Sequence, residues 1–133
     1  MLRRCDDGTV VRRILVVDDD AAVRSLIVRI LTRRGDVVVG EAGSVADALT
    51  SADALRPDVA LVDIGLPDGD GFALTRQLRA RAWPICVVIF SSDADPTNAA
   101  AAERAGAVGF LPKDELLGPA LQRLIGSEGD GDR

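Results

Sequence analysis

Four short apolar runs in this chain each end in a residue with pointed chemistry. Ile14–Val17 runs into Asp18-Asp19-Asp20, Val59–Val62 ends at Asp63, Cys86–Phe90 ends at Ser91, and Val108–Pro112 ends at Lys113. Short, β-branched runs bounded by Gly and Pro read as buried parallel strands. Val37-Val38-Val39 supplies one more, so strands are expected near 13–17, 37–39, 58–62, 85–90 and 107–111. Between them the apolar positions recur at helical spacing. Val23, Leu26, Ile27, Ile30 and Leu31 mark a helix capped by Asp20 and stopped by Gly35. Val45, Ala48, Leu49, Ala52 and Leu55 mark a second, capped by Ser44 and ended by Arg56-Pro57. Phe72, Leu74 and Leu78 mark a third, closed by Trp83-Pro84, and an Ala-rich fourth runs from Pro96 to Gly106. Pro119 opens a short fifth, with Leu121, Leu124 and Ile125 facing the core.

Strands that alternate with helices predict an α/β fold with right-handed crossovers: a doubly wound, flavodoxin-like (βα)5 sandwich of three layers. A five-stranded parallel sheet ordered 2-1-3-4-5 fits, with the first and third strands adjacent at the switch point. Ligands in such sheets sit outside the carboxyl ends of the strands. One edge would therefore gather acids, a hydroxyl and an ammonium. The domain is expected over residues 13–126, after a flexible leader at 1–12 and before a disordered tail at 127–133.

At 133 residues the chain can bury a full core as one domain. Its net charge of −5 opposes nonspecific nucleic-acid binding, which relies on Lys and Arg neutralising phosphates. No apolar stretch approaches the length of a membrane span, and the first residues lack a signal-peptide core, so the cytoplasm is the expected compartment. Cys5 and Cys86 are too few for a disulfide framework; Cys86 reads as a small buried apolar residue and Cys5 has no evident partner. Trp83 is expected at the sheet end opposite the acids. The chain contains no His, which excludes histidine metal sites, His-assisted nucleophiles and a phosphohistidine of its own.

Carboxylates gathered within a few ångströms repel one another, so either their pKa values rise or a cation holds them together. Oxygen donors without His or Cys select a hard ion such as Mg²⁺, which also accepts phosphate oxygens. Lys113 offers positive charge to a transferred phosphoryl group and Ser91 a hydrogen-bond donor. A loop carboxylate beside the metal can act as nucleophile and form an acyl phosphate. Asp20 reads as a helix cap, Asp68 and Asp70 as loop and helix-start residues, and Asp93 as a loop acid.

Taken together, these motifs resemble the receiver domain of bacterial two-component response regulators, including the chemotaxis response regulator. The resemblance spans about residues 13–126. It rests on Val16-Val17-Asp18-Asp19-Asp20, on Leu61-Val62-Asp63-Ile64-Gly65-Leu66-Pro67 with Asp70-Gly71, on Ser91-Ser92 and on Gly109-Phe110-Leu111-Pro112-Lys113. It implies that Asp63 accepts a phosphoryl group from a phosphohistidine on a sensor histidine kinase or a histidine phosphotransfer protein. It implies Mg²⁺ held directly by Asp19, Asp63 and the Gly65 backbone carbonyl, and through water by Asp18. Lys113 would pair with the phosphoryl group. Ser91 and Phe110 would act as the switch, altering the face formed by helix four, strand five and helix five. That face would address a downstream protein target, an output domain or, in a phosphorylation-dependent homodimer, a second copy. The resemblance implies a regulator with no enzymatic role beyond its own phosphorylation and dephosphorylation, and with no direct contact to nucleic acid or membrane.

Three positions depart from the family pattern. Asp114 follows the lysine where Pro is frequent, Phe110 replaces a frequent Tyr, and Gly65 carries no side chain to shield a phosphoryl group on Asp63. Two rival readings stay open at this point. A stand-alone receiver is expected, and the first rival is the receiver fragment of a DNA-binding response regulator. A phosphatase of the haloacid dehalogenase type is mimicked by Asp18-x-Asp20, but that family needs a further acidic pair on a strand beyond the lysine.

Overall fold

The computed structural model describes residues 12–92 and 95–125. Its elements are β1 (Arg13–Val17), α1 (Ala21–Arg33), β2 (Val37–Ala42), α2 (Val45–Leu55), β3 (Val59–Asp63), β4 (Gly65–Leu66), β5 (Gly69–Asp70), α3 (Gly71–Arg79), β6 (Cys86–Ser91), α4 (Pro96–Ala105), β7 (Gly109–Pro112) and α5 (Ala120–Ile125). A 3₁₀ turn over Lys113–Leu117 joins β7 to α5. The main sheet is parallel with the order β2-β1-β3-β6-β7, which is 2-1-3-4-5 when its five strands alone are counted. β4 and β5 form a separate antiparallel pair inside the β3–α3 connection.

Alternation along the strands splits the core in two. Leu15, Val17, Ala60, Val62, Val87 and Ile89 pack with residues of α2, α3 and α4 on one face. Ile14, Val16, Leu61, Val88 and Phe90 pack with Ile27 and Leu31 of α1 and Leu121 and Ile125 of α5 on the other. Each fully buried Leu or Ile contributes roughly 1.5–3 kcal/mol. All five residues of β3 are buried, as a central strand covered on both faces requires.

The expected punctuation holds at most joints. Asp20 accepts from the Ala22 and Val23 amides and Ser44 from Asp47, while Asp95, not marked in the sequence, caps α4 by accepting from Thr97. Gly35, at φ +90°, closes α1: its amide bonds the Thr32 carbonyl while that of Asp36 reaches Leu31. That pair of bonds is the Schellman arrangement, which asks for a left-handed residue.

The differences have local causes. β2 runs three residues beyond Val39, with a register irregularity opposite Ile14/Leu15, because Glu41 and Ala42 continue the pairing with β1. α3 ends at Arg79, ahead of Trp83-Pro84, with the Ala80 amide closing on Arg76, Gln77 and Leu78. β7 carries Pro112, which an edge strand tolerates. Arg12, expected in the leader, is 1% exposed and donates from Nε to the Ile125 carbonyl at 2.9 Å, fastening the end of α5 to the start of the sheet. Asp36 is buried in the same region; burial pushes its carboxyl up while Arg12 and Arg34 oppose the rise. Cys86 is half-buried against the core under α1 and α5, rather than fully enclosed as expected. The rest of the leader, including Cys5, and the tail lie outside the described residues, as does Asp93.

Candidate functional site

The carboxyl edge of the sheet collects the residues that the strand ends predict. β1 delivers Asp18 and Asp19, β3 ends on Asp63, β6 ends on Ser91, and Lys113 follows β7 directly. One carboxylate oxygen from each of Asp18, Asp19 and Asp63 falls within 4.8 Å of the others, a spacing that suits a shared cation. Asp20 is outside this group because its carboxylate is used on the α1 cap. Asp70 likewise caps α3 through the Ala73 amide.

Asp18 is fully buried. Its Oδ1 accepts from the Asp20 amide at 2.8 Å, whereas Oδ2 has no partner with hydrogen-bond geometry. Lys113 Nζ stands 3.1 Å from that oxygen and 3.5 Å from Asp63 Oδ2, bridging both acids as an ion pair. The same ammonium lies 5.6 Å from the centre of the Phe90 ring. Burial alone would lower the Lys113 pKa, but the two carboxylates outweigh it and raise the net value. Asp63, 8% exposed, is pushed up to about 6, first by burial and then by the charge of Asp18; Lys113 and the Gly65 amide oppose the rise. A buried carboxylate oxygen faced only by an ammonium, a second carboxylate that resists ionising and a third at the rim make a donor set of hard oxygens. That set fits Mg²⁺.

Ser91 is buried at the end of β6, one ladder position from the lysine, since Ser91 pairs with Pro112. Phe110, two residues earlier on β7, is half-buried against the core under α2, α3 and α4. Gly65 is exposed, and a Cβ built on it meets nothing within 4 Å. Trp83 lies at the far end of the sheet, donating to the Pro57 carbonyl beneath the Arg56 guanidinium. Its fluorescence should not report on events at Asp63.

Two supporting contacts go beyond what the sequence reading assigns to their residues. Arg24 reads as a polar position of α1, yet its Nη1 donates to the Asp18 carbonyl at 2.6 Å and its Nε to Glu41 at 3.3 Å. Gly71 reads as a loop glycine of the Asp70-Gly71 motif, yet a Cβ there would lie 2.5 Å from the Asp63 carbonyl oxygen and 3.1 Å from Ile64 Cα. Those neighbours are backbone and cannot swing aside, and the Gly71 amide is bonded to the Ile64 carbonyl at 2.7 Å. Gly71→Ala should therefore displace the Asp63 loop and cost about 1–3 kcal/mol, read by urea unfolding. Stability equal to wild type would show that the loop has room to give.

Comparison with known proteins bears on this geometry. The family model for the response regulator receiver domain matches residues 14–124. The chain is 39% identical over 120 residues to the DNA-binding transcriptional activator DevR/DosR of Mycobacterium tuberculosis, covering 90% of this chain and 55% of that protein. It is 39% identical over 117 residues to a protein-glutamate methylesterase/protein-glutamine glutaminase of Anaeromyxobacter dehalogenans, covering 85% of this chain and 33% of that one. Among solved structures, the signal receiver domain of NarL from Mycobacterium tuberculosis superposes with a TM-score of 0.77 at 36% identity, covering 87% of this chain and 98% of that chain. The chain thus spans about half the length of DevR/DosR and nearly all of the isolated NarL receiver.

Proposed function

The chain belongs to the response regulator receiver domain family of two-component systems, and from that premise we propose that Asp63 is its phosphoacceptor. The observation that carries the reading is the contact of Lys113 with both Asp18 and Asp63 inside a three-carboxylate cluster. In the proposed reaction an Asp63 carboxylate oxygen attacks phosphorus, the P–N bond of the donor phosphohistidine breaks, and the imidazole leaves with the bonding pair and takes up a proton. Asp19, Asp63 and the Gly65 carbonyl would hold Mg²⁺ directly, and Asp18 through water. The ion supplies charge neutralisation for the phosphoryl oxygens. Lys113 holds the phosphoryl group from the other side, and Ser91 donates a hydrogen bond to it.

The donor would be a sensor histidine kinase or a histidine phosphotransfer protein, since the chain has no histidine. Ser91 and Phe110 would couple phosphorylation to the α4–β7–α5 face, a local charge event that biases a two-state element. The shared half-length supports a receiver that works with an output partner: the relatives include a DNA-binding activator and a methylesterase. Whether that output is another domain, a separate target or a phosphorylation-dependent homodimer is decided by which partner the phosphorylated form binds. No helix among the described residues is long and apolar enough to cross a membrane; the cytoplasmic setting belongs to the proposed exchange with a phosphohistidine donor. Phosphoramidate with Mg²⁺ should add one phosphoryl group per chain by intact mass. Turnover of a generic phosphomonoester would instead favour the phosphatase reading.

The open space at Gly65 has a kinetic consequence. With no side chain beside Asp63, water can approach the acyl phosphate in line, so Gly65→Asn should lengthen its lifetime about tenfold, equivalent to about 1.4 kcal/mol on the barrier. A phosphoprotein decay assay reads this directly. A lifetime in the variant equal to or shorter than wild type would refute the shielding argument.

A further inference from the structure

The loop after Asp63 is thinly held. Gly65, Pro67, Asp68, Gly69 and Asp70 are all exposed, and Leu66 is its only buried residue. The β4–β5 pair places Gly65 opposite Asp70 and Leu66 opposite Gly69, with Pro67-Asp68 at the tip. The base of this hairpin is fixed by the Asp70 cap on α3 and by the Gly71–Ile64 bond. Its tip is held elsewhere. Asp68 Oδ1 accepts from the Val45 amide at 2.7 Å, and Oδ2 from the Ala46 amide at 3.0 Å. A Cβ on Gly69 would stand 3.1 Å from Val45 Cγ2, so the tip rests on the first turn of α2.

We propose that Asp68 is a positioning residue for the cation site, clamping the hairpin that carries Gly65 onto the N-terminus of α2. The inference rests on the reading of Asp18, Asp19, Asp63 and Gly65 as that site. Ser44 already caps α2 through the Asp47 amide at 3.1 Å, so Asp68 satisfies the two preceding amides from a distant loop. Both bonds favour the ionised carboxylate and hold the Asp68 pKa below its ordinary value. With the tip anchored, Gly65, two rungs below it, presents its backbone toward Asp63 in one arrangement. Its amide opposes the rise of the Asp63 pKa, and its carbonyl is the proposed ligand. Groups that orient metal ligands from outside typically change metal affinity by about 10–100-fold when removed. Asp68 would act in this way without touching the ion.

Ser44→Ala separates the clamp from simple helix capping, because it removes an α2 cap and leaves the hairpin contacts untouched. Mg²⁺ binding to the full chain is measured by calorimetry, since Trp83 is remote, and amide exchange at Gly65 is followed in the metal-free protein. Asp68→Ala should weaken Mg²⁺ binding about tenfold and speed Gly65 exchange, whereas Ser44→Ala should leave the affinity within about twofold. Asp68→Asn keeps one acceptor oxygen and should recover part of the loss. It also carries the test if the alanine variant does not fold. An Asp68→Ala affinity matching wild type, or an equal loss in Ser44→Ala, overturns the clamp alone. A wild-type chain that does not bind Mg²⁺ overturns the site and the clamp with it.

Discussion

Asp63→Asn is expected to abolish phosphoryl incorporation from acetyl phosphate and at the same time to stabilise the metal-free protein. The first effect follows from chemistry: an amide is no nucleophile toward phosphorus, and two of the neighbouring acids are engaged in backbone bonds. Asp18 is buried with one oxygen bonded to the Asp20 amide, and Asp20 caps α1. The second effect follows from electrostatics. Asp63 is pushed up to about 6 by burial and by Asp18, so its ionised form weakens the folded state at neutral pH. A shift of this size corresponds to about 2–3 kcal/mol, so a neutral isostere should recover on the order of 2 kcal/mol. The sign with pH is fixed. The folded state holds a proton on Asp63 that the unfolded state has released, so wild-type stability falls as pH rises from about 4 to about 6 and then levels. The gap between Asp63→Asn and wild type should open over that window and stay open above it. Intact mass after acetyl-phosphate treatment and urea unfolding across pH measure the two effects. Labelling that survives in the variant would remove Asp63 from its assigned role, whereas a variant less stable than wild type above pH 6 would refute only the repulsion argument.

Much of this site was legible in the chain because parallel strands leave a plain record. A run such as Val59–Val62 is apolar throughout when both faces are covered, and its last residue then stands at the carboxyl edge whatever the helices do. Asp18, Asp19, Asp63, Ser91 and Lys113 were found in this way, and Asp20 by its place before a helical stripe. Contacts made by single long-range polar groups left no such record. Asp68 reaches α2 across 23 positions and Arg12 reaches Ile125 across 113, and both look like surface residues because periodicity reports faces and not partners. Arg24 fails for the same reason. The length of β2 was hidden because Gly40 and Glu41 break the apolar run that marked Val37–Val39, while backbone pairing to β1 carries it on to Ala42.

Lys113→Met is expected to destabilise the metal-free protein by roughly 2 kcal/mol and to make its stability depend strongly on Mg²⁺. Removing one member of a buried ion pair typically costs about 3–5 kcal/mol, because the remaining charge is left without compensation. The Lys113 side chain is 26% exposed, so solvent screening reduces that figure. What remains in the variant is Asp18 with an unpartnered buried oxygen facing Asp63 and no cation between them. Acid should relieve the defect, since protonating Asp63 removes the repulsion. Mg²⁺ should relieve it at neutral pH by supplying the missing positive charge, and so stabilise Lys113→Met more than wild type. Phosphoryl acceptance should still fall, because the side chain that would hold the phosphoryl group is gone. Thermal unfolding with and without Mg²⁺, run beside phosphoramidate labelling, separates these roles. An equal Mg²⁺ effect on both proteins would mean that Lys113 and the ion do not share the task of neutralising Asp18 and Asp63. Stability restored by Mg²⁺ without restored labelling would place Lys113 on the phosphoryl group as well as on the acids.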